Sequence, residues 1–150
     1  MLTAHQELYL WNVLTQANRG RERVAGSKAN APNLPDLRLI GHEADAVFPL
    51  ATSLLAPVVA SGGNDKLVLV WSIQDAVESL LAGGGGGGAA KTGDKDSKAF
   101  EKVPTLKPRS RLPGHTGDVQ DVVFKPDSDS QLASVAVDRK LILWDTKTPK

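Results

Sequence analysis

The 150-residue sequence contains no cysteine, which excludes disulfide bonds and thiolate metal sites. It also lacks any apolar run near the roughly 18 residues that a membrane-spanning helix needs. The first ten residues have neither a basic start nor an apolar core, so we expect no secretory signal. The sequence therefore predicts neither a disulfide-stabilised protein nor one with a membrane partner.

A large excess of one charge is absent as well, because the sequence contains 18 basic and 17 acidic residues. A nearly neutral chain lacks the overall basic footprint of a nucleic-acid-binding domain, so we expect no direct sequence-specific nucleic-acid binding. The basic residues cluster locally, with seven basic and three acidic residues in 91–111 and three arginines at 19, 21 and 23. The interspersed acids favour a solvated loop over a phosphate contact in residues 91–107.

The strongest positive signal is an internal repeat between residues 41–72 and 114–145, each 32 residues long. Four landmark residues recur at the same spacings, and histidine precedes tryptophan by 29 positions both times. The landmarks are His42, Ser61, Asp65 and Trp71 in the first stretch, and His115, Ser134, Asp138 and Trp144 in the second. A Gly-His opening and a Trp-Ser or Trp-Asp close resemble WD40 repeats, each of which contributes one four-stranded propeller blade.

The chemistry of these landmarks favours a structural role. A loop histidine, a strand serine, a turn aspartate and a strand tryptophan can form one hydrogen-bonded chain, which satisfies polar atoms that would be costly to bury alone. A Ser-His-Asp catalytic triad is the alternative, but it would have to occur twice in one short chain. We therefore expect a non-enzymatic protein with no catalytic residue, no cofactor, no metal and no small-molecule substrate.

The predicted fold is all-β, a WD40 β-propeller fragment of about two and a half blades, since a propeller needs roughly four to eight blades of about 40 to 45 residues. Residues 1–35 would hold the end of a preceding blade and a connecting loop, and 36–75 a WD40 repeat. Residues 76–108 would form a Gly/Lys-rich low-complexity linker, and 109–150 a truncated WD40 repeat. The chain would thus begin inside one blade and stop before the fourth strand of another.

Apolar runs between turn signals predict nine strands. They are residues 7–13, 37–40, 45–51, 57–62, 67–72, 109–112, 119–124, 131–136 and 140–144. Residues 7–13 would be the third strand of the earlier blade, containing Trp11, with its first two strands missing. Residues 109–112, which follow the linker, would supply the outer strand of the blade that residues 36–75 begin. The runs LVLVW and LILW lack alternation, which predicts burial on both faces.

Two long polar connections, residues 12–35 and 76–108, are predicted to be mobile loops. The second contains six glycines, Gly83 to Gly88, followed by AAKTG, and comes close to a phosphate-binding loop. That motif needs a glycine directly before its lysine and a strand leading in, whereas Ala90 precedes Lys91. Nucleotide binding is therefore not expected.

Longer stretches of the sequence restrict the resemblance to one group of WD40 proteins. PDLRLIGHEADAVFPLA, SGGNDKLVLVWSIQD and GHTGDVQDVVFKPDSDSQLASVAVDRKLILWDTKT resemble the histone-binding WD40 proteins of the retinoblastoma-associated chromatin-subunit family, and within it the plant FVE-type branch. The resemblance implies a seven-bladed nuclear scaffold of chromatin-modifying complexes in transcriptional repression. Its implied partners are histones and the other subunits of those complexes.

In that family, acids and an aromatic on the narrow propeller face hold a basic histone tail, through carboxylates that pair with Arg and Lys. The matching positions here are Asp45, Val47, Gln120 and Val137. Three of the four depart from the animal pattern, since Gln120 and Val137 replace carboxylates and Val47 replaces a ring. We therefore expect weak tail binding through this part of the face.

Two alternatives remain open at this point. Some WD40 proteins are substrate adaptors of cullin-type ubiquitin ligases through a WDxR string, to which Trp144, Asp145 and Lys147 correspond. Lys147 keeps the charge of that arginine but not its planar fork of donors, so the match is degraded. The other alternative is a truncated product without independent activity.

Overall fold

The computed structural model describes residues 2–4, 8–11, 35–42, 46–74 and 103–147. These residues form eleven strands, which confirms the all-β prediction. The strands are β1 (Leu2–Ala4), β2 (Leu8–Leu10), β3 (Leu37–Leu39), β4 (Val47–Thr52), β5 (Val58–Gly63), β6 (Leu67–Ser72), β7 (Thr105–Leu106), β8 (Ser110–Pro113), β9 (Val119–Phe124), β10 (Gln131–Ala136) and β11 (Leu141–Asp145).

The strands assemble into three sheets. The first sheet has the order β1-β2-β3-β7, the second β4-β5-β6-β8 and the third β9-β10-β11. Neighbouring strands run antiparallel except β3 and β7, which are parallel. The prediction that a strand after the linker completes the middle blade is confirmed, because β8 pairs with β6.

Corresponding hairpin turns join β5 to β6 and β10 to β11. Lys66 has a backbone φ of 66° and Arg139 a φ of 64°, so the same position of each repeat adopts the left-handed conformation. Each of these residues also donates its amide to the carbonyl three residues earlier, at 3.1 Å in the first turn and 3.0 Å in the second. The internal repeat is therefore a repeat of backbone conformation as well as of sequence.

Two short strands were missed by the sequence prediction. Leu2–Ala4 pairs with β2, so the expectation that both earlier strands of the first blade are missing was wrong. Thr105–Leu106 lies within the predicted linker but pairs with β3, and the amide of Ile40, just after β3, donates to the Leu106 carbonyl at 2.9 Å. Both strands cover sheet edges that would otherwise leave backbone groups unpaired. The predicted mobile residues 12–34 and 75–102 lie outside the described residues.

Hydrophobic contacts between the sheets form two core clusters. The first joins the first and second sheets, with Leu8, Leu37, Leu39, Val47, Val59, Leu69, Trp71 and Ile73. The second joins the second and third sheets, with Val58, Ala60, Val68, Val70, Val119, Val122, Phe124 and Leu132. The middle sheet is thus covered on both faces, as LVLVW predicted.

The second and third sheets pack closely against each other at Gly62. A Cβ atom at this residue would lie 2.3 Å from Cγ1 of Val119, so any side chain here would force the sheets apart. This contact explains why glycine occurs inside a strand at this position.

The prediction of two-sided burial was wrong for LILW. Leu141 is 64% exposed and Leu143 is 77% exposed on β11. Their equivalents in the preceding repeat, Val68 and Val70, are buried because the third sheet packs on them. Among the described residues no sheet packs on the corresponding face of the third sheet, so its leucines meet solvent.

Candidate functional site

His42 connects the loop before β4 to the body of the second sheet. Its Nδ1 lies 2.9 Å from Oδ2 of Asp65, and its Nε2 lies 2.7 Å from Oγ of Ser61. Asp65 also caps its own turn, since its Oδ1 accepts the amide of Leu67 at 3.2 Å. The Trp71 ring lies beside the histidine, with 6.0 Å between ring centroids.

The third sheet repeats this arrangement around His115. Its Nδ1 lies 3.1 Å from Oδ2 of Asp138, and its Nε2 lies 2.7 Å from Oγ of Ser134. Here the tryptophan also takes part, because Nε1 of Trp144 donates to Oγ of Ser134 at 2.8 Å. The structure thus brings all four predicted landmarks of this repeat into one hydrogen-bonded chain.

The order of donors and acceptors in this chain is self-consistent. The Trp144 N–H donates to the Ser134 oxygen, and the Ser134 hydroxyl donates to Nε2 of His115. Nδ1 then carries the remaining proton and donates it to Asp138, so the carboxylate sets the histidine tautomer. Every polar atom of these buried side chains therefore has a partner of the right kind.

Asp138 is the acceptor on which this network ends. Its carboxylate accepts the Thr116 amide at 2.9 Å and the Lys140 amide at 3.0 Å, in addition to His115. The Thr116 bond, followed by those from His115 and Lys140, outweighs desolvation and lowers the pKa of Asp138 to about 2. The turn therefore holds a stable negative charge that anchors the incoming loop.

The two networks differ at the tryptophan. Nε1 of Trp71 is buried and has no acceptor among the described residues, whereas Nε1 of Trp144 bonds Ser134. Trp71 is fully buried between two sheets, while Trp144 is half-buried in a sheet covered on one face. The first network is therefore a three-member chain, which the identical sequence spacing did not reveal.

The Ser-His-Asp connectivity has the same order as a catalytic triad, but the serines are inaccessible. Ser61 is 0% and Ser134 is 2% exposed, and Oγ of Ser134 already accepts from Trp144. A nucleophilic serine must meet the substrate carbonyl, and neither of these hydroxyls reaches solvent. The arrangement supports packing rather than acyl transfer.

Glycines make room for the networks, a requirement that the sequence analysis missed. A Cβ atom at Gly63 would lie 3.1 Å from both Nδ1 of His42 and Oδ1 of Asp65. A Cβ atom at Gly114 would lie 2.7 Å from the Trp144 ring. The glycine of the Gly-His pair in the second repeat is thus explained by the tryptophan that packs on it.

The predicted histone-tail positions do not form one surface. Asp45 lies outside the described residues. Val47 is only 5% exposed and belongs to the first core cluster, so its placement on the binding face was wrong. Gln120 is exposed on β9, and Val137 is 58% exposed just after β10, where its amide donates to the Asp118 carbonyl. Only Gln120 and Val137 are therefore seen together on the surface.

The predicted adaptor string is engaged in local contacts. Oδ1 of Asp145 accepts the Lys147 amide at 2.9 Å, and Nζ of Lys147 lies 2.9 Å from Oδ1 of Asp129. Trp144 is committed to Ser134. The lysine that stands in for the arginine is thus directed toward an acid of its own sheet.

Other kinds of site find little support in the part of the chain that the structure describes. No group of three or more potential metal ligands occurs among these residues, and none of their helices is long and apolar enough to cross a membrane. A groove of about 360 Å³ lies between the second and third sheets. Its walls include Leu50 and Leu54 on one side and Val123 and Pro126 on the other.

Part of the chain matches a known family of repeats. Residues 106–145 match the family described as WD domain, G-beta repeat. The chain carries a WD40 repeat. This repeat includes β8 to β11 and the complete four-member network around His115, and residues 41–72 place the same residue types around His42. The three sheets therefore belong to a partial WD40 β-propeller, as the sequence predicted.

Individual relatives extend the similarity over most of the chain. The chain is 39% identical over 151 residues to the WD-40 repeat-containing protein MSI4 of Arabidopsis thaliana. The match covers 97% of this chain and 28% of that protein. The WD-40 repeat-containing protein MSI3 of the same plant is 25% identical over 126 residues, a match that covers 84% of this chain and 24% of that protein. Protein HIR1 of Kluyveromyces lactis is 28% identical over 112 residues, a match that covers 75% of this chain and 11% of that protein.

The chain spans about a quarter of the length of the two plant relatives. The resemblance to the retinoblastoma-associated WD40 family, inferred from the sequence strings, is confirmed by these matches.

Proposed function

We propose that this WD40 chain belongs to a non-enzymatic nuclear scaffold that binds histones and partner subunits of chromatin-modifying complexes in transcriptional repression. The observation that carries the proposal is the 39% identity with MSI4 over 97% of the chain. The resemblance supplies the histone partner and the nuclear location. The structure contributes a set of packed sheets without an accessible serine nucleophile in either network.

The described surface supports a weak contact with a basic tail at the end of the third sheet. Gln120 and Val137 stand there in place of carboxylates, so that part of the face offers a basic peptide an amide and an apolar group. Asp138, the nearest acid in sequence to Val137, already accepts from His115 and two amides. Partner binding would therefore depend more on other surfaces than on this end.

The test of the proposal is retention of core histones by the immobilised chain after nuclease digestion, which removes any bridging nucleic acid. A Ser134→Ala variant serves as a matched control, because it weakens the third sheet without changing surface charge. We expect retention by the wild-type chain that decreases with salt and with loss of the sheet. Failure to retain any histone at low salt would contradict the proposal.

The adaptor function is less well supported. It would need the cation after Trp144 and Asp145 to be available to a ligase subunit, but Lys147 pairs with Asp129. Breaking an exposed pair of this kind costs little, because solvent screens it, so the contact weakens the adaptor hypothesis without removing it. A pull-down of the ligase subunit with an Asp129→Asn variant, which frees Lys147, tests the adaptor function directly. Stronger retention by the variant than by the wild-type chain would support that function, and no retention by either would contradict it.

A further inference from the structure

A row of positive charges runs along the outer strand of the second sheet, β8, and the residues that lead into it. Exposure alternates strictly along residues 106–113, with Lys107, Arg109, Arg111 and Pro113 exposed and the other four residues half-buried. Alternation follows from the two-residue period of extended chain. The backbone of the row is fixed, since β8 pairs with β6 and the Arg109 amide bonds the Val70 carbonyl at 2.7 Å.

These three cations differ from others on the same molecule. Lys125 lies 3.1 Å from Asp127, and Lys147 lies 2.9 Å from Asp129. No such pair involves Lys107, Arg109 or Arg111 among the described residues. The hydrogen bond from Lys147 is the main cause of the lowered pKa of Asp129, and the charge of Arg109 contributes least to it. The row thus keeps its charge available for an external anion.

The charge of the whole sequence is also unevenly distributed. Residues 91–111 contain seven basic and three acidic residues, a net charge of +4, whereas the 150-residue chain has a net charge of +1. The other residues together therefore carry −3. A segregated basic segment in a nearly neutral chain is typical of a surface that contacts a polyanion.

Protection of a sheet edge is the simpler explanation for charges on an outer strand. Either sign of charge would prevent edge-to-edge pairing, however, and both Pro113 at the end of β8 and Pro108 just before the strand already lack an amide donor. Edge protection therefore does not account for three cations and no acid at the exposed positions. A polyanionic partner does.

We propose that Lys107, Arg109 and Arg111 form a sequence-independent contact surface for the phosphate backbone of double-stranded DNA. Two of the three are arginines, whose guanidinium groups bind phosphate in a bidentate manner. No aromatic residue occurs between 101 and 123, so the strand lacks the stacking platform typical of single-strand binding. The contact goes beyond histone binding and does not depend on it.

The experiment is a fluorescence anisotropy titration of a 20-base-pair duplex with the full chain at several salt concentrations. Each neutralised phosphate contributes about 0.9 to the slope of log affinity against log salt, so three contacts contribute about 2.7. This slope corresponds to a loss of about 40-fold in affinity between 50 and 200 mM salt. The triple variant Lys107→Gln, Arg109→Gln, Arg111→Gln should lower the slope by about 2.7.

A matched control removes three other exposed cations, with Lys66→Gln, Lys125→Gln and Lys140→Gln. It changes net charge equally and should leave most of the slope in place. An Arg109→Lys, Arg111→Lys variant keeps the charges and should also retain the slope. Equal slopes for the triple variant and the control would overturn the proposal. Equally tight, row-dependent binding of a poly-glutamate peptide would overturn it in favour of an acidic protein partner.

Discussion

The difference between the two networks allows a prediction about single serines. Replacing Ser134 by Ala leaves two groups without their partner, Nε1 of the half-buried Trp144 and Nε2 of the buried His115. Replacing Ser61 by Ala leaves one, Nε2 of His42, because Nε1 of Trp71 already lacks an acceptor. An unsatisfied buried group costs about 1 to 3 kcal/mol, so Ser134→Ala should destabilise its sheet by about 1 to 2 kcal/mol more than Ser61→Ala.

Double-mutant cycles isolate the bond responsible. Combining Ser134→Ala with Trp144→Phe should give a coupling energy of about 1 kcal/mol, and combining Ser61→Ala with Trp71→Phe a value near zero. Amide hydrogen exchange in β10 and β5 measures the local opening free energy of each sheet. The exposed Ser72→Ala substitution is the control. Equal coupling in both sheets, or none between Ser134 and Trp144, would refute the difference inferred from the structure.

Three further predictions concern pH, the linker and the uncovered face. Folding lowers the pKa of Asp138 from an ordinary 3.8 to about 2, so the contribution of this carboxylate to stability is complete above about pH 4 and is lost as the pH falls toward 2. Asp138→Asn should remove this acid transition from the urea midpoints measured across a pH series. Deleting residues 83–98 should change the melting temperature little, since closure entropy depends only logarithmically on loop length, and calorimetry would show a large decrease if this segment packs. The exposed Leu141 and Leu143 should make the chain self-associate, so Leu143→Lys should lower its apparent mass in size-exclusion chromatography.

The fixed spacing of four polar and aromatic residues made the networks predictable, because their chemistry requires them to meet wherever the same hairpin forms. Strands 67–72, 119–124 and 131–136 also have their predicted bounds. The short strands Leu2–Ala4 and Thr105–Leu106 were not predictable, since so few residues carry no periodicity and their pairing depends on distant edges.

The positions of individual side chains were less accessible from the sequence. Val47 was assigned to a surface by its distance from the Gly-His pair, but the start of β4 directs it into the first core. The missing acceptor of Trp71 also reflects tertiary packing, since the same residue types occur in both repeats. Exposure of Leu141 and Leu143 depends on which sheets surround them, and their own sequence does not encode it.

The central functional claim is that the end of the third sheet is a histone-tail face weakened by Gln120 and Val137. Calorimetric titration of a basic histone-tail peptide into the chain with and without Gln120→Glu and Val137→Asp tests this claim most directly. The restored carboxylates should strengthen binding, and the gain should be larger at low salt because the two positions are exposed. Unchanged affinity at every salt concentration would contradict the assignment of this face.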